Sequence, residues 1–493
     1  MHMKRIILSV ALAAATAIGA AAQPSLQQRI ENIIRRSPAL KGAGVGVMVK
    51  DAGGTTVAAV NAEQRLVPAS NLKLITTGTA LHSLGADYRF KTAIGYTGTI
   101  SNGTLDGDIY IIGGGDPTIG ADEKDFGRTP YTEWMGILLK AGIRAVNGRI
   151  IGDSRLWEGF LEFGDWTYED IGTYYGTGSG ALCFYKNTID LNVAAGETEG
   201  APVNAGQTYP DTPWMHYTFS GITGKQGTGN SLYLYTTDLA PYSELRGTFA
   251  LDLAPKTEHF ANKFGALTCA YAFYKYLMEN GFKVTGWPAD IDRSGLIRTF
   301  RFVSMEPAGD PEVIGHTESA PLRDIARKTN LDSDNFYAEA IFRTMGEEAT
   351  GYAVYDSARV AEKSALKNLS LNPDDVTIAD GSGLSRSNAV SARFLSNFLQ
   401  TMTSSPAFPA FLASLPAPGE GTLIPVLKNN PSKDRLRLKS GSMGGVLCYS
   451  GYLLDSNGTP VATISLLVNG STAKTTQIRK ALEAILEELL LYL

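Results

Sequence analysis

Histidine is scarce in this chain, with five in 493 residues: His2, His82, His216, His259 and His316. None stands in a His-Glu-x-x-His pattern and no Gly-x-Ser-x-Gly occurs. Neither zinc hydrolysis nor a serine–histidine–aspartate triad therefore has support in the sequence. Cysteine is rarer still. Cys183, Cys269 and Cys448 form no Cys-x-x-Cys and no metal-type spacing. An exported chain could pair two of them, but their odd number and wide separation argue for buried thiols. Excess positive charge is missing too. A net charge of −5 argues against a nucleic-acid partner. There is no internal repeat and no low-complexity linker.

Long apolar runs are confined to the N-terminus. Lys4 and Arg5 precede the run Ile6 to Ile18, and Ala20-Ala21-Ala22 follows. Residues 1–22 read as a bacterial export leader cleaved near Ala22. An uncleaved N-terminal anchor is the alternative. Nothing later is apolar enough to span a bilayer. The C-terminal stripe Ile478, Leu482, Ile485, Leu486 and Leu489 reads as core packing. A membrane-surface helix would place lysines on its polar face, and this one carries Glu483, Glu487 and Glu488. Peripheral membrane contact thus has no support.

What is present is ordinary globular material, 44% apolar and 19% charged, long enough for three domains of about 150 residues each. Leu26 to Ile34 has helical periodicity. Gly44 to Lys50 and Thr55 to Val60 alternate as strands around Gly53-Gly54. At the far end Arg435 to Lys439 alternates, and Val446–Leu454 and Val461–Val468 form a hairpin across Ser456 to Thr459. A helix from about Thr472 closes the chain. Strands from both ends then share one antiparallel sheet, split by an insert. From about Tyr96 to Val203 the insert is β- and loop-rich, and helix returns at Ala261 to Asn280.

Three Ser-x-x-Lys spacings occur: Ser70/Lys73, Ser364/Lys367 and Ser471/Lys474. Only the first is followed in order by Ser333-Asp334-Asn335 and Lys439-Ser440-Gly441, the three elements of an active-serine site. Ser370-Leu371-Asn372 is a decoy for the second element, placed where a helix ends. Ser70 in the first turn of a helix, with Lys73 one turn on, makes a nucleophile without histidine. Lys73 accepts a proton only if its amine is neutral part of the time, and burial plus a second cation, Lys439, favour that state. Ser333 can relay the proton and Asn335 can hold Lys73 and meet a substrate amide. Lys439, Ser440, Gly441 and Ser442 on an edge strand suit a peptide ending in a carboxylate. Gly441 is expected to keep that strand clear for the substrate.

These motifs, with Pro68-Ala69 before Ser70, Gly113-Gly114-Gly115-Asp116-Pro117-Thr118 and Asp380-Gly381-Ser382-Gly383-Leu384-Ser385-Arg386, resemble the low-molecular-mass class C penicillin-binding proteins. Those are D-alanyl-D-alanine carboxypeptidases and endopeptidases. The likeness covers nearly the whole mature chain. Ser440 stands where threonine is commoner and keeps the hydroxyl. The resemblance implies an α+β, β-lactamase-like domain with a five-stranded antiparallel sheet flanked by helices. It implies a penicillin-recognising catalytic domain at 23–90 and 300–493, an inserted domain at 91–117 and 190–299, and a nested domain at 118–189. It further implies peptidoglycan stem peptides and β-lactams as partners, no cofactor, a periplasmic location, and an oxyanion hole from the N–H groups of Ser70 and Ser442. A β-lactamase and a weakly catalytic cell-wall binding protein are the rival readings. Gly113 to Pro117 reads as a tight turn ending a strand. Asp380 to Arg386 reads as a shaped loop at a cleft rim.

Overall fold

The computed structural model describes residues 24–492 except 122–125, 128, 158 and 293. The expected leader, residues 1–22, lies outside the described residues.

Five strands build the central sheet: β1 (Gly44–Asp51), β2 (Thr56–Val60), β3 (Leu436–Met443), β4 (Val446–Leu454) and β5 (Pro460–Asn469). Their order is β2-β1-β5-β4-β3, antiparallel throughout. Both chain ends meet where β1 pairs with β5, Val47 opposite Leu466. Period-two alternation sends Val45, Val47 and Val49 to one face and Met48 to the other. Both faces are covered, so these strands are apolar on both sides.

One face packs on α1 (Leu26–Arg36) and α6 (Thr475–Tyr492) through Leu26, Ile30, Ile478, Leu482 and Ile485. The C-terminal stripe is core, as its spacing predicts. The opposite face packs on α2 (Lys73–Leu84), α3 (Leu322–Asp332), α4 (Asn335–Thr350) and α5 (Ala392–Met402). Every residue from Lys73 to Leu81 in α2 is buried. A helix enclosed on all sides needs no polar stripe, which is why this one shows none.

Between α2 and α3 the chain is β-rich, as its composition predicts. A seven-stranded sheet runs from Ser304–Met305 at one edge to Glu312–Glu318 at the other. Helices Tyr131–Lys140 and Gly265–Glu279 cover it through Trp134, Leu138, Phe273 and Leu277. The first of these helices was not legible as one, because its ten residues begin with aromatics and β-rich text surrounds it.

Strand pairing joins distant stretches of the insert. Ile109–Ile112 pairs with Ile150–Asp153 across residue 118, and Lys91–Tyr96 pairs with Glu312–Glu318 across residue 300. Three smaller sheets lie within 188–261, around Ile189, Leu191, Leu245 and Phe260. Composition separates stretches that cross-strand hydrogen bonds join. Cys183, Cys269 and Cys448 are free and buried.

Candidate active site

Ser70 sits in a 3₁₀ turn, Ala69–Leu72, and α2 begins only at Lys73. The sequence placed Ser70 inside the helix; the tighter turn replaces that geometry. With three residues per turn, positions i and i+3 eclipse. Lys73 Nζ therefore lies 2.8 Å from Ser70 Oγ. The turn is entered through Ala69 at φ +46°, an uncommon conformation for a residue with a Cβ. Gly383 closes against it: a Cβ there would stand 2.0 Å from the Ala69 carbonyl oxygen.

Lys73 is fully buried. Its Nζ donates to Asn335 Oδ1 at 2.6 Å and to the Ser382 carbonyl at 2.7 Å. Both partners are acceptors only. The third position on the nitrogen faces Ser70 Oγ, which can accept or donate. A neutral amine at this place keeps two hydrogens on fixed acceptors and turns its lone pair to the serine hydroxyl. Burial pulls the Lys73 amine from its ordinary value down to about 8, against the opposing pull of the Asp380, Glu339 and Asp334 carboxylates.

Ser333 terminates α3 in the left-handed conformation, φ +59°. Asp334 caps α4 by accepting from the Tyr337 N–H at 3.1 Å. Asn335 follows as the first residue of α4, so the sharp junction aims Ser333 and Asn335 into the same space. Lys439, on the edge strand β3, reaches from the other side. Its Nζ donates to Ser333 Oγ at 2.8 Å and to the Ser440 carbonyl at 2.7 Å. Burial, and then the Lys73 charge, hold Lys439 well below its ordinary value.

Ser70, Lys73, Ser333, Asn335 and Lys439 thus converge as the sequence predicts, with no metal-type cluster among the described residues. Ser440 pairs its hydroxyl with Thr422 Oγ1 at 2.7 Å, and Ser442 is exposed beside it. The expected role of Gly441 is corrected. A Cβ there would stand 2.4 Å from the Pro68 carbonyl oxygen and 3.0 Å from Ser70 N, so glycine lets β3 lie directly on the serine turn. The other two Ser-x-x-Lys serines are elsewhere: Ser364 is exposed on helix Tyr355–Asn368, and Ser471 donates to the Ala39 carbonyl.

Three participants were not legible. Ser382 contributes a backbone carbonyl, which has no side-chain signature. The loop carrying it is held by buried carboxylates. Glu339 accepts from the N–H groups of Gly381 and Ser382, and Asp380 from those of Gly383 and Ser385. Burial and the Asp380 charge push Glu339 up to about 8. One signal was available: Glu339 is the lone acid in the apolar run Phe336 to Phe342. The third is Tyr175, whose carbonyl accepts from Asn335 Nδ2 at 3.0 Å. Gly113 to Asp116 is the expected strand-ending turn, following strand Ile109–Ile112 with Gly115 at φ +79°.

The chain is 29% identical over 475 residues to a D-alanyl-D-alanine carboxypeptidase of Actinomadura sp., covering 93% of this chain and 84% of that one. It is 24% identical over 465 residues to D-alanyl-D-alanine carboxypeptidase DacB of Haemophilus influenzae, covering 88% and 87%. Its fold matches the crystal structure of penicillin binding protein 4 from Haemophilus influenzae with a TM-score of 0.79 at 21% identity, over 94% of this chain and 99% of that one. Residues 26–489 match the model of one family, and the chain accordingly belongs to the D-Ala-D-Ala carboxypeptidase 3 (S13) family.

Proposed function

We propose that this chain is a serine DD-peptidase that cleaves D-alanyl bonds of peptidoglycan stem peptides through an acyl-enzyme on Ser70, and that β-lactams acylate the same oxygen. The observation that carries the reading is the bonding of Lys73 Nζ, with two acceptors fixed and the serine hydroxyl in the third position. With an ordinary lysine value of about 10.4, roughly one amine in 2,500 is neutral at pH 7. At about 8 the fraction is roughly one in ten. Burial therefore supplies the base.

Ser70 Oγ attacks the carbonyl of the penultimate D-alanine as its proton passes to Lys73. The oxyanion is held by the N–H groups of Ser70 and Ser442, each worth about 3 kcal/mol of barrier. Ser333, whose hydroxyl accepts from Lys439 Nζ, carries the proton to the leaving amine. Water then releases the acyl group. Asn335 has a second amide hydrogen for the substrate backbone. The Ser440 and Ser442 hydroxyls meet the terminal carboxylate, and Lys439, buried behind them, adds its charge at short range. An exported, periplasmic protein with a cleaved leader fits this substrate. Sheet pairing supports a catalytic unit made of the residues before 91 and after 318, with the β-rich insert between.

Mass spectrometry of the intact protein after penicillin treatment, with the modified peptide mapped, tests the reading. A stable adduct on Ser70 supports it. Rapid turnover of the β-lactam indicates a β-lactamase, and an adduct elsewhere ends the proposal.

A further inference from the structure

Residues 154–184 form no helix or strand among their described positions, and one 3₁₀ turn, Tyr185–Asn187, ends the segment. Yet Trp157, Trp166, Thr177, Ser179, Ala181 and Phe184 are buried. The segment leaves the seven-stranded sheet, crosses onto α4 and the 380–386 loop, and returns to the smaller sheets. On the insert side it is bonded at several places: the Gly172 N–H donates to the Tyr233 hydroxyl, the Ala261 N–H donates to the Gly172 carbonyl, and one buried ammonium takes three of its oxygens. Lys263, buried, reaches Glu162 Oε1 at 2.6 Å, the Gly176 carbonyl at 2.9 Å and the Thr177 carbonyl at 3.2 Å. One ammonium thus gathers both halves of the segment.

On the other side some of its ties reach Arg343 and Glu347 of α4, and three land on what surrounds Lys73. Trp166 Nε1 donates to Asp380 Oδ2 at 2.8 Å. Asp165 Oδ2 accepts from Ser385 Oγ at 2.8 Å. The Tyr175 carbonyl accepts from Asn335 Nδ2. That last bond decides the amide's orientation. With its NH₂ on Tyr175, Asn335 must present Oδ1 to Lys73; turned over, it would present hydrogens to the ammonium. Asp380 collects four N–H donors, from Gly383, Ser385, Asn388 and Trp166. Three belong to its own loop, and the indole is the outside contribution.

We infer that residues 154–187 are a positioning strap, in which the Trp166 indole, acting through Asp380, and the Tyr175 carbonyl, acting through Asn335, hold the groups that hold Lys73. The insert is then part of the catalytic apparatus. The inference rests on the proposed role of Lys73 as base.

The charged groups facing Lys73 are Asp380 and Glu339 from the clamped loop and α4, Asp334 from the α4 cap, and Lys439 from β3. Removing the indole donor leaves the Asp380 carboxylate less compensated, which favours the ammonium form of Lys73. The test measures the second-order rate of penicillin acylation from pH 6 to 10. Trp166→Phe keeps the ring and loses the donor. Its rate at pH 7 should fall about tenfold, and its ascending limb should move to higher pH by about half a unit. Trp157→Phe is the control. It cuts a strap bond to Glu347, toward the far end of α4, and should leave the limb in place. An unmoved limb in Trp166→Phe, or equal movement in both variants, overturns the inference. Asp165→Ala, at an exposed position, keeps the test open should Trp166→Phe not fold. It should slow acylation severalfold at unchanged Tm, and an unchanged rate would also overturn the strap. A wild-type chain that is not acylated at Ser70 instead removes the functional reading beneath it.

Discussion

Lys439 and Ser333 meet across 2.8 Å, 106 positions apart in the chain, and that bond joins the edge strand to the α3–α4 junction. It places a second buried lysine against the Ser333 hydroxyl, the proposed proton carrier. Lys439→Met should therefore lower acylation about a hundredfold or more, and most for substrates with a free terminal carboxylate. Steady-state kinetics on a matched pair of carboxylate and amide peptides checks this. A loss confined to KM of the carboxylate peptide would make Lys439 a direct clamp.

Ser70→Ala should abolish labelling by a fluorescent penicillin and leave the far-ultraviolet circular dichroism unchanged. Ser364→Ala removes an exposed helix hydroxyl and should label at the wild-type rate.

The acylation rate of the wild-type protein should rise with pH and level off above about 8. The sign follows from the reacting form: the neutral Lys73 amine accepts the proton, and its fraction grows as pH approaches the lowered value. A profile flat from pH 6 to 9 would show that Lys73 does not titrate in the rate-determining step.

Glu362, from helix Tyr355–Asn368, is buried against α2. Its Oε1 accepts from Thr79 Oγ1 at 3.0 Å and its Oε2 has no hydrogen-bond partner among the described residues. Burial pushes its carboxyl up to about 8. A raised carboxyl binds its proton more tightly folded than unfolded, so the protein loses stability as pH rises from about 4.3 through about 8. Glu362→Gln removes the charge and keeps the Thr79 acceptor. It should raise Tm at pH 8 more than at pH 5; equal shifts at both pH values would show that Glu362 is already ionised in the fold.

The motif residues were readable because side-chain chemistry and order in the chain carry them: Ser70 with Lys73, then Ser333 with Asn335, then Lys439. The five-stranded sheet was readable from alternation at both ends. What escaped is made of backbone. The Ser382 and Tyr175 carbonyls leave no trace in residue type, and the 154–184 stretch lacks periodicity because it forms no regular element. One long-range pairing in the insert escaped for a related reason. The ladder between Ile109–Ile112 and Ile150–Asp153 is parallel and bridges a helix, so no turn signal marks it.

The pairing of β1 with β5 and the arrival of Lys439 on β3 set an order of events. A ribosome makes Ser70 and Lys73 early and the second lysine more than 360 residues later. Until nearly the last segment emerges, the nascent polypeptide owns a hydroxyl and an amine but no assembled centre. Non-local closure of this kind is slow. The hydrolase is thereby inert during synthesis, and a prematurely terminated product ending before residue 436 lacks three of its five sheet strands.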